Sequence, residues 1–133
     1  MRTVAKISFV IFAIAIIAVG CTNKQGATPN ASLVGKWRYV GSRMSNGGPQ
    51  YWAPATNNNN YLQLSVNGTM EWTPGNEYKK YSLKDSVTLT MTHADGSNYQ
   101  NYYYRIKGDS LGISPIEPIR CYEGCSEHFV KVK

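Results

Sequence analysis

From Leu33 to the C-terminus, apolar side chains recur at alternate positions in short runs, and turn-forming residues separate the runs. A period of two puts every second side chain on a buried face, so the runs predict β-strands with one wet face each. The predicted strands are Leu33–Val40, Tyr61–Val66, Met70–Thr73, Tyr78–Leu83, Val87–His93, Tyr99–Lys107, Ser110–Ser114, Pro118–Tyr122 and His128–Val132. Turn chemistry lies between most of them, at Asn67-Gly68, Pro74-Gly75-Asn76, Lys84-Asp85-Ser86, Ala94-Asp95-Gly96-Ser97 and Gly108-Asp109. No stretch carries a helical apolar period of useful length, which makes the chain all-β.

Facing residues must share a side of the sheet, and this constrains the hairpin at Asn67-Gly68. A two-residue loop would set Leu64 opposite Glu71 and mix the faces. A three-residue loop, Asn67-Gly68-Thr69, pairs Val66 with Met70 and Leu64 with Trp72. The same alternation turns Val87, Leu89 and Met91 inward with Thr88, Thr90 and Thr92 outward, and Tyr102, Tyr104 and Ile106 inward with Tyr103 and Arg105 outward. About eight to nine short strands of this kind must close on themselves or stack, because a lone sheet leaves its apolar face and edges open. Hairpin-like spacing throughout favours an up-and-down antiparallel β-barrel.

Ahead of the strands, Arg2 and Lys6 precede an apolar run from Ile7 to Val19 that stops at Gly20-Cys21. The run has the length of a signal-peptide core and falls short of the roughly 20 apolar residues a spanning helix needs. Ala18-Val19-Gly20-Cys21 resembles a lipobox, whose cysteine becomes the acylated N-terminus of a bacterial lipoprotein, carrying fatty acids such as palmitate. The expected organisation is a signal peptide over 1–20, the lipidated Cys21 with a flexible tether over 21–32, and one domain over 33–133. An uncleaved signal anchor is the alternative. Several acyl chains hold a protein on a bilayer far more firmly than one.

Thr22 to Ser32 contains no large apolar residue and reads as a tether, so the domain need not touch lipid. No acidic residue follows Cys21 in Thr22-Asn23-Lys24-Gln25-Gly26-Ala27, and no aspartate stands directly after it. Read as sorting signals, these absences point to the outer membrane, facing the periplasm. Removal of residues 1–20 takes two of the 14 basic groups and none of the 8 acidic ones, leaving a net charge of +4. The remaining cations are scattered with no run longer than two, which is not the clustered footprint of a nucleic-acid binder.

Export also bears on the cysteines. With Cys21 consumed by lipid, Cys121 and Cys125 form an even pair, and Gly124 supplies the backbone freedom of a small disulfide ring. A metal centre would want four ligands, and with His93 and His128 as the only histidines none is expected. No cofactor is expected either. Neither histidine has a nucleophile or carboxylate at a defining spacing, no phosphate-binding glycine loop appears, and the chain is read as a non-enzyme. Glu117, Glu123 and Glu127 flank the cysteine loop, where solvation accounts for them.

Between the first two strands, Gly41 to Asn60 is an irregular stretch holding Tyr51, Trp52 and the run Asn57-Asn58-Asn59-Asn60. Loops of this length in compact domains are functional or disordered. Exposed aromatic rings there are costly unless they cover something.

Leu33-Val34-Gly35-Lys36-Trp37 opens the first strand with Gly-x-Trp, the short signature of lipocalins. Leu62-x-Leu64-x-x-Asn67-Gly68-Thr69, Tyr104-x-Ile106-x-Gly108-Asp109-x-Leu111-x-Ile113 and Cys121-x-x-x-Cys125-x-Glu127-x-Phe129-Val130-Lys131 add to it. Together these segments resemble the lipocalin-like lipoproteins common in Bacteroidetes, over Leu33 to Lys133. The resemblance implies a lipocalin-like barrel in which Gly35 and Trp37 close the narrow end and have a structural role. The Thr-Asp-Tyr element of lipocalins and the helix after their barrel have no counterpart here.

Two functions follow as expectations. One is a lipid-anchored envelope protein holding a small apolar or amphipathic ligand, with Tyr51 and Trp52 framing the mouth and Leu62, Leu64, Met70, Trp72, Leu89, Met91, Tyr102 and Tyr104 lining the interior. The other is a filled barrel that docks a protein or glycan through the long loop. An eight-stranded barrel is just wide enough for either.

Overall fold

A computed structural model describes residues 32–133; the expected signal peptide, lipidated Cys21 and tether, over residues 1–31, lie outside the described residues. Nine strands follow in order: β1 Gly35–Met44, β2 Tyr51–Pro54, β3 Tyr61–Leu64, β4 Met70–Thr73, β5 Tyr78–Leu83, β6 Thr88–His93, β7 Tyr99–Lys107, β8 Ser110–Glu117 and β9 Ser126–Lys131. All pairings are antiparallel. The order in space is β4-β3-β1-β9-β8-β7-β6-β5, with β2 paired to β1; most neighbours are consecutive in sequence, but β3 passes β2 to pair with β1, and β1 pairs with the last strand, β9. The path closes almost completely, because β4 meets β5 through the Thr69–Lys80 bridge and the Tyr81 N–H donates to Gly68 O at 2.8 Å. The fold is the expected all-β up-and-down barrel.

Inward positions fill one core. Leu33, Trp37, Leu62, Leu64, Leu89, Met91, Leu111 and Ile113 have no exposed surface, and Met70, Tyr81, Tyr104 and Phe129 are nearly as buried. Trp37 seals one end: its indole N–H donates to Leu33 O at 2.8 Å, and Lys131 Nζ stands 4.9 Å from the ring centre. Lys131 Nζ also donates to Ser32 O at 2.9 Å, so the chain enters the barrel at this sealed end. At the opposite end lie the last residues of β1, β4, β6 and β8 and the first residues of β5, β7 and β9.

Four local expectations are corrected, the first at the start of β6, where Val87 is exposed and Thr88 is buried, the reverse of the expected faces. The hairpin between β3 and β4 pairs Leu64 with Met70 and Leu62 with Trp72. Its three-residue loop is therefore Val66-Asn67-Gly68, one position earlier than expected. Gly68, at φ +83°, takes the last loop position, where a type I turn needs a left-handed residue before the returning strand. The predicted strand Pro118–Tyr122 is absent, since β8 runs on to Glu117. The Gln100 side chain takes the place of a paired strand, accepting from Ile119 N at 3.1 Å and donating to Ile119 O at 2.8 Å. Finally, Gly41 to Asn60 is largely structured. β1 continues to Met44, and Tyr51–Pro54 forms β2 against it, with Trp52 opposite Arg43.

Gly41 permits that last pairing. Its φ is +151°, and an added Cβ would lie 2.6 Å from Ala53 O and 2.5 Å from Trp52 Cζ2. Backbone cannot retreat from such a clash cheaply. Gly41→Ala is expected to cost about 2 kcal/mol and to free β2 from β1, read as a lower thermal midpoint with a more exposed Trp52 signal. An unchanged midpoint would refute the close approach.

Candidate functional site

The open end of the barrel is where inward alternation brings polar and aromatic groups together. On β9, Phe129 faces the core, so Glu127 two residues before it faces the same way. The register agrees, because Glu127 stands opposite buried Ile113 on β8 and opposite Ser42 on β1. Glu127 is thus half-buried in the barrel mouth. It is not the solvated flank of the cysteine loop that its neighbours Glu117 and Glu123 suggested. The Glu127-x-Phe129 spacing was the sequence signal that could have found it.

Aromatic rings surround this carboxylate. Trp72 packs against Tyr102 with centroids 6.1 Å apart and against Phe129 at 5.9 Å, and Tyr39 meets Phe129 edge-on at 5.6 Å. The Tyr39 hydroxyl is hydrogen-bonded to Ser42 Oγ. Two clefts open on Glu127 from either side. One, of about 230 Å³, runs between Tyr39 and Trp72 and reaches Asn60, Thr73 and Pro74. The other, of about 240 Å³, lies under Met44, Tyr102, Pro115 and Cys125.

Electrostatics match this placement. Burial pushes the Glu127 carboxyl up to about 7, because a charged carboxylate loses hydration in the barrel mouth. No hydrogen bond or charge from the described residues offsets that burial, and the carboxylate oxygens remain open to water, since among the described residues no fully buried side-chain oxygen lacks a partner. Burial likewise raises the Tyr102 phenol, with smaller contributions from Tyr78 and Glu127. The Glu127 charge therefore reaches Tyr102.

The cysteine loop braces this end. Cys121 and Cys125 form the expected disulfide. The turn between β1 and β2 docks on the ring it closes: Gly47 N–H donates to Glu123 Oε2 at 3.1 Å, and Gln50 Nε2 to Gly124 O at 3.0 Å. A staple of this kind holds the rim of the mouth in place.

The predicted lining divides by burial. Trp72 and Tyr102 are partly exposed in the mouth, while Leu62, Leu64, Met70, Leu89, Met91 and Tyr104 are packed into the core, Leu62 directly opposite Trp72 and Leu89 opposite Tyr102. Gly35 and Trp37 belong to the sealed end. Tyr51 and Trp52 do not frame the mouth as a loop. The Trp52 ring lies on the outer face over Gly41, edge-on to His128 with centroids 5.3 Å apart, and it remains 46 % exposed. Tyr51, the first residue of β2 and opposite Met44 at the end of β1, is 48 % exposed.

The histidines have partners of their own, although His93 ends β6 at the open end, on the same face as Leu89 and Met91. His128 shares the outer face with Trp52, its Nε2 2.8 Å from Ser126 Oγ, and burial followed by the Arg43 charge holds its pKa below the usual value. His93 faces Tyr78 and reaches Glu77 at 3.4 Å. Among the described residues no group of three or more His, Cys, Asp or Glu side chains could hold a metal ion. A larger groove of about 450 Å³ runs outside the barrel beside Lys36, Arg38 and Asn58. Its cations already have neighbours, with Lys36 Nζ 4.0 Å over the Tyr61 ring and Arg38 donating to Asn58 at 3.0 Å. The mouth, by contrast, holds a carboxylate with no hydrogen-bond or charge partner among the described residues. Comparison with protein-family models, with curated proteins and with solved structures finds no match to this chain.

Proposed function

We propose that this is a lipid-anchored, lipocalin-like binding protein of the cell envelope, non-catalytic, that holds a small ligand in the open mouth of its barrel. The observation that carries this reading is Glu127, an inward carboxylate lacking a partner among the described residues, walled by Trp72, Tyr102 and Tyr39 at the base of two clefts. An unpaired half-buried carboxylate costs stability, and a fold tolerates that cost where a ligand repays it. The packed core below limits the ligand to the mouth, so it is smaller than a fatty acid threaded through the barrel.

The anchor reading supports the same use. Ser32 and Leu33 join the barrel at the Trp37 end, so a lipid at Cys21 would be tethered to the closed end and leave the mouth unobstructed by the anchor. The address that follows from the residues after Cys21 is the outer membrane, facing the periplasm. Protease added to whole cells should spare the domain; its loss while periplasmic markers survive would place it on the surface.

A second reading, a filled barrel that docks a protein or glycan partner, draws on the exposure of Tyr51, Trp52, Ile119 and Tyr122 around the same end. The full-length protein in a nonionic detergent separates the two. Small molecules from a cell extract retained by the wild type and released by Trp72→Ala support mouth binding. Retention unaffected by Trp72→Ala, or none at all, rejects it.

A further inference from the structure

The walls of the mouth also speak to the chemistry of its occupant. Glu127 offers negative charge at the base of the cleft between Tyr39 and Trp72, and the second cleft brings Tyr102 to the same carboxylate. Ring faces carry negative quadrupole potential, so aromatic walls around a carboxylate favour a positive guest and disfavour an anion. From this geometry we infer that the mouth binds a small organic cation, a quaternary or primary ammonium compound, with its charged head against Glu127 and its carbon body between the rings of Tyr39 and Trp72. The inference rests on the mouth-binding reading above and adds the class of ligand.

The surroundings leave this role open to a guest. The phenols of Tyr39, Tyr78 and Tyr102 and the hydroxyl of Ser42 face this end of the barrel from β1, β5 and β7, and none is a cation at neutral pH. Ile113 and Pro115 of β8 are uncharged, and His93 at the end of β6 lies against Tyr78 with its Nε2 3.4 Å from Glu77 rather than at Glu127. Arg43 edges one cleft, but it follows Ser42 on β1 and so alternates to the outer face, where its charge acts on His128. On β9 itself, His128 alternates outward to Trp52. No cation from the chain fills the carboxylate's place among the described residues.

Size fits the same class. Each cleft holds roughly 230 to 240 Å³, below the range of pockets for drug-sized ligands. An ammonium head with a few carbons needs no more.

Burial of the carboxylate adds a pH signature. Because burial lifts Glu127 to about 7, a permanent cation must first drive off its proton below that pH. Affinity for choline, which cannot itself titrate, should then fall about tenfold for each pH unit below that value and level off above it.

Calorimetry on the full-length protein in dodecyl maltoside, with empty micelles as control, tests the inference using choline, n-butylammonium, butyrate and the uncharged carbon isostere of choline. The expected result is that both cations bind, and that the uncharged isostere binds at least about tenfold more weakly at a pH near 8. Glu127→Gln should abolish this preference, with a melting curve showing that the variant is folded. If the isostere or butyrate binds as tightly as choline, the cation class is overturned while binding at the mouth stands. If no probe binds, and the small molecules retained from extract do not depend on Trp72, both readings fail. A preference for choline that survives in Glu127→Gln also overturns the assignment.

Discussion

Glu127→Gln is expected to stabilise the fold by about 2 kcal/mol at a pH near 8 and to change nothing near pH 4. The carboxyl ionises near 4.5 when the chain is unfolded and near 7 in the barrel. Between those values the native state binds more protons than the unfolded one, so this group's contribution to stability falls as pH rises. Above both values the folded protein carries a poorly hydrated charge that glutamine lacks. Below both, the protonated acid and the amide are alike. The full shift corresponds to about 3.4 kcal/mol, and the smaller figure allows for the partial access of water to a half-buried group.

Paired denaturant titrations of variant and parent at the two pH values read this directly. Other titrating groups drop out of the difference. His128, whose pKa is held low by burial and Arg43, weakens both proteins alike on acidification. A thermal midpoint that rises by roughly 10 °C at the higher pH alone matches the expectation for a domain of this size. An equal gain at both pH values would mean that Glu127 is not buried as a charge.

The largest loss is expected at the other end of the barrel, where Trp37→Ala should cost about 4 kcal/mol. Trp37 is the largest fully buried side chain among the described residues, and its removal opens a void beneath Leu33 and beside Lys131. It also leaves Leu33 O without its indole donor. A loss of that size is a large part of the roughly 5–15 kcal/mol that holds a small domain folded, so the variant should be substantially unfolded at modest urea concentrations. Trp52→Ala is the control. That ring is also a tryptophan on a β-strand, but it is 46 % exposed and should cost about 1 kcal/mol. Comparable losses at the two positions would contradict the sealed end.

Together the two substitutions describe a barrel with opposite ends. One end uses tryptophan, lysine and backbone to close the core and receive the chain. The other keeps a charge inside at a cost to stability, which is the arrangement expected of a binding site rather than of a packing surface.

Much of this architecture was legible in the alternation of the chain. Met70–Thr73, Tyr78–Leu83 and Tyr99–Lys107 are strands at their predicted limits, and Leu89, Met91 and Tyr104 face inward as their period requires. The pairing of Cys121 with Cys125 matches the expectation drawn from their even number and their spacing around Gly124. A period of two is a local property, because successive side chains on any strand leave opposite faces. The barrel followed from the need of many such strands to cover one apolar face and hide their edges. For the same reason Glu127 was legible in principle, since it shares the face of Phe129.

What local pattern did not decide were features set by partners distant in sequence. Trp52 looked like a loop ring seeking cover, and only the approach of β2 to β1 across Gly41 laid it on the outer wall. Pro118 to Tyr122 carried strand-forming residues, yet Gln100 from β7 satisfied the Ile119 backbone and took away the reason to pair. The division of the interior into a packed core and a charged aromatic mouth depended on which strand ends meet at which rim. Alternation determines which way a side chain points. Depth along the barrel, and with it the burial of Glu127, came from closure, because only the assembled strands exclude the water that sets the energy of a charge.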